Sequence, residues 1–85
     1  MLFLKQSYRV TMRGRSGVVY EEGGKTVNIE AELLTGEIDL VLYFDSIRHW
    51  QPPHEREVIS QDEKWRIKEN VTAALEGKGL SIEWE

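Results

Sequence analysis

The sequence predicts an α+β fold: an antiparallel β-meander of about four strands, a Pro-Pro joint, one long α-helix packed on one sheet face, and a short C-terminal strand. Three observations predict it. Apolar and polar residues alternate from Tyr8 to Phe44, interrupted by glycine-bearing turns. From Ile59 onward the apolar spacing changes to three and four, behind a helix-start signal at Ser60. Between them lies F-D-S-I-R-H-W-Q-P-P-H-E-R-E-V-I-S, from Phe44 to Ser60, which holds both prolines, both histidines and one of the three tryptophans.

The first strand begins at Tyr8, with Tyr8, Val10 and Met12 on one face and Arg9, Thr11 and Arg13 on the other. Gly14-Arg15-Ser16-Gly17 is a turn. Val18 to Glu21 forms a second strand, which ends at Gly23-Gly24, a two-residue hairpin signal because both positions accept positive φ. The third, Thr26 to Leu33, sets Val27, Ile29, Ala31 and Leu33 against Asn28, Glu30 and Glu32. Thr35-Gly36 turns into Ile38 to Phe44, the most apolar strand.

The turns test one another, because a slip of one residue exchanges the two faces. Two-residue loops at Gly23-Gly24 and Thr35-Gly36 set Val18 opposite Ile29, Tyr20 opposite Val27, Ile29 opposite Leu42 and Ala31 opposite Leu40. A three-residue first loop sets Val10 opposite Tyr20, Met12 opposite Val18 and Arg9 opposite Glu21. One register satisfies every apolar pair, which supports the meander. The far face then carries a row Thr11, Val19, Asn28, Tyr43 with Val41 beside it.

Pro52-Pro53 lacks backbone donors and keeps Gln51 out of the helical region, so the joint reads as a stiff, extended connector. Asp45-Ser46 reads as a strand-ending turn. Ser60 and Glu63 have capping-box spacing, and Ile67, Val71, Ala74 and Leu75 form one apolar stripe. Gly77 and Gly79 end the helix, with Lys78 near its negative end. Leu80 to Glu85 alternates again as a last strand, with Leu80, Ile82 and Trp84 facing in and its partner unspecified.

An 85-residue chain has room for one core, so residues 1–85 are read as a single α+β domain. Hydrophobic content of 40% and charged content of 31% are ordinary for a globular protein and argue against wholesale disorder. A net charge of −4 argues against nucleic acid as a partner, since such binding rests on neutralising phosphates. Lys5, Arg9, Arg13 and Arg15 precede any acid. Pairing with the glutamates of the following strands is the favoured reading, and a basic face for an acidic partner is the other. With no cysteine the chain is compatible with a reducing cytoplasm, the expected location. No apolar run spans a membrane, and Met1 to Leu4 lacks the basic flank of a signal peptide.

No catalytic motif is present, so no enzyme, no cofactor and no metal are expected. His49, His54, Glu55 and Glu57 invite a metal reading, but in an extended segment they would splay. Asp45 and Glu55 lack a cleft for acid–base work. The candidates left are for partner binding: Val19, Asn28, Val41, Tyr43, Trp50, His54 and Trp65. Val19, Val41 and Tyr43 read first as residues packing on each other across strands, and second as an amphipathic patch. Trp50 reads first as a plug closing the core, and otherwise as an interface anchor. Trp65 points away from the helix stripe and either folds over Pro52-Pro53, the favoured reading, or anchors a contact.

L-Y-F-D-S-I, then R-H-W-Q-P-P-H-E, then I-S-Q-D-E-K-W-R-I-K-E-N-V-T-A-A-L and a short terminal strand resemble the bacterial immunity protein 74 family. The distinctive part runs from Tyr43 through Leu75. The resemblance implies a non-enzymatic protein, encoded beside a polymorphic toxin, that binds and neutralises a cognate toxin protein. It implies no cofactor and supplies no contact list. The alternative is a small structural or oligomerisation module, a homodimer joined through a sheet edge or the Tyr43 face.

Overall fold

The computed structural model describes residues 7–14 and 17–85. The readings of Met1 to Leu4, of Lys5, and of Arg15 and Ser16 in the first turn lie outside the described residues. Five strands follow in chain order: β1 (Tyr8–Arg13), β2 (Gly17–Glu22), β3 (Lys25–Leu33), β4 (Leu40–Leu42) and β5 (Ile82–Trp84). A 3₁₀ turn, Phe44–Ser46, and the helix α1, Gln61–Gly77, stand between β4 and β5. One sheet results, ordered β1-β2-β3-β4-β5, antiparallel except for the parallel pair β4–β5. A parallel neighbour needs a long crossover, and α1 supplies it.

The first two pairings have the expected register, with Val10 opposite Tyr20, Met12 opposite Val18, Val18 opposite Ile29 and Tyr20 opposite Val27. Gly23 and Gly24 take φ of 57° and 79°, both left-handed, and make the two-residue turn. Arg9 stands opposite Glu21, but no ion pair joins them, and Arg13 faces Gly17. Among the described residues, then, Glu21 is the expected cross-strand neighbour of Arg9, but neither Arg9 nor Arg13 is in an ion pair.

The third pairing departs from expectation. Ala31 lies opposite Leu42 and Leu33 opposite Leu40, two residues away from the register that a tight Thr35-Gly36 turn would give. Residues 34–39 form a wider loop, closed by the Leu34 N–H on the Asp39 carbonyl at 2.9 Å. The other side of β4 explains why. Ser81 accepts from the N–H groups of Asp39 and Leu40, at 2.8 and 3.2 Å, and the Asp39 carboxylate accepts from the Ser81 N–H at 2.8 Å. The segment leading into β5 thus grips β4 and its loop. A slip of two keeps every side chain on its own face, so the core is the expected one.

That core lies between the sheet and α1. Ile67, Val71 and Leu75 are fully buried with Val18, Tyr20, Val27, Ile29, Leu40 and Leu42. Truncating one such residue to alanine costs roughly 2–5 kcal/mol, a large share of a typical domain stability of about 5–15 kcal/mol. Ser60 caps α1 as its spacing predicts: its hydroxyl accepts from the Glu63 N–H at 3.2 Å, and Glu63 accepts from the Ser60 N–H at 2.9 Å. At the other end Gly79, with φ of 86°, donates to Glu76, and Leu80 donates to Leu75. This closing motif needs the left-handed glycine.

The joint is not an extended strut. The His54 N–H donates to Gln51 across Pro52-Pro53, the Glu57 N–H donates to His54, and His49 bridges Val58, so the chain doubles back. The reason is burial on both sides of the prolines: Ile47, Trp50 and Ile59 all enter the core. Trp50, 3% exposed, is the core plug. The Gln51 N–H donates to Thr26 at 2.7 Å and moors the loop to the start of β3.

One polar cluster is set into this packing. The Tyr20 hydroxyl donates to Glu22 at 2.5 Å and accepts from Asn70 at 2.9 Å. Arg66 grips Glu22 with two nitrogens, at 3.1 and 2.6 Å. Burial alone would raise the Glu22 carboxyl, but the bonds from Arg66 and Tyr20 outweigh it and hold it below the usual range. A depressed folded-state pKa stabilises the protein above the unfolded carboxyl's value, and that stabilisation is lost as pH falls through the folded value. Urea titrations of wild type and Glu22→Gln should therefore differ most near pH 7, with the gap closing below about pH 4. A gap unchanged from pH 7 to pH 3 would show that the pair is not ionised.

Candidate protein-interaction surface

The seven candidate residues occupy four places and not one. Val19, Asn28, Val41 and Tyr43 lie on the sheet face turned away from α1, which the described chain leaves open. Trp50 lies in the core and offers no surface to a partner. His54 belongs to the joint, and Trp65 to the helix layer.

The open face is built by strand alternation, so its rows follow from the register. Thr11, Val19 and Asn28 share one row. Tyr43 does not continue it, as the tight β3–β4 turn would require. Its N–H donates to Glu30 at 2.9 Å, which carries the pairing past Leu42 and seats it opposite Glu30. On its other side the Glu85 N–H donates to Leu42 and the Phe44 N–H to Glu85, so Glu85 flanks Tyr43 across the strand gap. One row along, Val41 lies between Glu32 and Glu83. Val41 is only 5% exposed even on this outward face, so neighbouring side chains close over it and Tyr43 carries the surface.

The Tyr43 hydroxyl is pushed above its ordinary value by desolvation, then by the charge of Glu32 and a hydrogen bond to it, with Glu85 and Glu30 adding to the effect. Nothing in the alternation alone points to these glutamates as its neighbours. They become its neighbours only through the β3–β4 and β4–β5 pairings, and no sequence pattern specifies the partner of β5.

The remaining candidates have their own partners. The Glu57 carboxylate accepts from Lys25 at 2.7 Å and meets His54 Nδ1 at 3.2 Å. The Lys25 bond holds that carboxyl below the usual range. Of the four residues expected to splay, His54 and Glu57 meet, beside a lysine, and among the described residues no three of His, Cys, Asp and Glu gather as a metal set. Trp65, 48% exposed, does not fold over the prolines. Its ring lies 5.4 Å from Phe44, and the Lys68 ammonium sits 4.7 Å from Trp65, 5.5 Å from Phe44 and 5.9 Å from Trp84. Lys68, three residues on, reaches back along the helix surface. Trp84 is fixed by its indole N–H on Thr72 at 2.9 Å.

A family model described as Immunity protein 74 matches residues 9–85. The chain belongs to the immunity protein 74 family. The match takes in β2 through β5 and all of β1 but Tyr8, well beyond the residues 43–75 on which the likeness in the sequence chiefly rests. No curated protein and no solved structure matches the chain. Membership makes it an immunity protein, a class that is generally non-enzymatic and that has a toxin for partner. Among the described residues no helix is long and apolar enough to cross a membrane.

The Tyr43 environment can be measured directly. In protein carrying [13Cζ]tyrosine, the Tyr43 resonance should titrate above pH 10, and Glu32→Gln should bring its midpoint back toward 10. A midpoint at 10 in the wild type would remove the proposed contact with Glu32.

Proposed function

We propose that the chain binds a cognate bacterial toxin domain one to one and neutralises it without turnover, through the open face of the sheet. The observation that supports this reading is a sheet face backed by a packed helix and left uncovered by the described residues in front, with Val19, Asn28 and Tyr43 at its surface. Side chains on paired strands have little freedom left to lose on binding, which favours affinity. Tyrosine is among the residues that dominate interface energies. Val41 serves as the support beneath Tyr43, while His54 and Trp65 lie off this face.

In this reading residues 1–85 act as one α+β domain in the cytoplasm, as part of a polymorphic toxin system, with no catalytic residue and no cofactor. Neither nucleic acid nor membrane is the partner. Carboxylates beside Tyr43 would repel phosphates.

Self-association through the edge of β1, which no described strand pairs, is the second reading, and its register opposes it. Antiparallel pairing of two β1 strands about Thr11 sets Arg9 against Arg13 twice, and like charges directly opposite destabilise a pair. Light scattering should give a monomer mass at high concentration, and a dimer mass would favour the second reading.

Co-expression with the toxin encoded beside the chain's gene should restore growth of a toxin-sensitive host. Tyr43→Ala should reduce that protection, and so should Asn28→Lys, at an exposed position of the same face, with the melting temperature staying within about 4 °C of wild type. Growth inhibition undiminished by the wild-type chain would overturn the proposal.

A further inference from the structure

The open face is electrically divided, and the division specifies the partner's chemistry. On the β4 half, Glu32 and Glu83 flank Val41, and Glu30 and Glu85 flank Tyr43. Strands about 4.8 Å apart and alternate residues about 6.6 Å apart make this a rectangle of roughly 10 by 7 Å, with Tyr43 and Val41 midway along its two longer sides. All four glutamates are exposed, and none is in an ion pair among the described residues. Their spacing is close to the Debye length of about 8 Å at physiological salt, so they repel one another only partly screened. On the opposite half, Arg9 and Arg13 stand exposed on β1; Glu21 is the cross-strand neighbour of Arg9, but among the described residues neither arginine is in an ion pair, and this half keeps a net positive charge.

The geometry points to a partner surface with a protruding arginine or lysine that seats over Tyr43 between the two pairs of glutamates. This inference rests on the toxin-binding reading above and names what the toxin must present. Three features favour that occupant. A cation there relieves the mutual repulsion of four carboxylates. It meets the partly exposed aromatic ring of Tyr43, and aromatic rings attract cations through their quadrupole. The arginines on the far half repel a second basic patch, so the same field also sets the orientation in which the partner docks. An acidic or uniformly apolar partner would gain none of these.

The test uses the purified toxin domain from the adjoining gene and measures association by stopped flow across a salt series. Wild-type association should slow as salt rises. At 50 mM salt the double variant Glu32→Lys, Glu83→Lys should associate more slowly, within the 10- to 10³-fold range that electrostatic steering provides. Glu32→Gln with Glu83→Gln should fall between, which guards against a folding defect in the lysine variant. Arg9→Glu with Arg13→Glu should not slow association. If the wild type binds and both glutamate variants associate at its rate, the inference falls while toxin binding stands. If the wild type does not bind, the toxin-binding reading falls and takes this inference with it.

Discussion

Everything in this fold depends on the pleat of the sheet, which sends successive side chains to opposite faces. That constraint makes the molecule tolerant of one kind of displacement and intolerant of another. β4 sits two residues from where a tight turn would put it, yet Leu40 and Leu42 still enter the core beneath Ile67, Val71 and Leu75. A displacement of one would have put Val41 and Tyr43 under the helix and Leu40 and Leu42 in water. Burial therefore selects the parity of the register strongly and its exact value weakly. The value is chosen by hydrogen bonds, those between Ser81 and the Asp39–Leu40 segment.

This separates what could be read in the residues from what could not. The hairpin at Gly23-Gly24, the phase of β1 to β3, the Ser60–Glu63 cap and the apolar stripe of α1 are local, each set by residues within a few positions of one another. They were legible. The width of the 34–39 loop was not, because it answers to β5, forty residues later, whose partner no pattern reveals. The compact joint was hidden for a similar reason: prolines constrain only their own neighbourhood, and the doubling back is imposed by Trp50 and Ile59 entering one core. Trp65 was misplaced on the prolines because nothing local shows that Phe44 and Lys68 lie within reach of it.

The same distinction runs through the interaction surface. That Val19, Asn28, Val41 and Tyr43 share a face follows from alternation alone. That Tyr43 stands among glutamates instead of beside Asn28 follows from the two-residue displacement, which left the core untouched and rewrote the exterior. A surface can thus change its chemical character at no cost to packing, which suits a family whose members are named for their opposition to toxins.

The clasp between Arg66 and Glu22 has a further implication. It joins the closing residue of β2 to the second turn of α1 across a sequence separation of 44, and Tyr20 and Asn70 lock the same carboxylate and hydroxyl from either layer. Lifting the helix would strand a buried carboxylate, and fraying the hairpin would strand a guanidinium. Amide protons of β2 and α1 should consequently become available to solvent deuterium together, in a single shared opening event and not layer by layer.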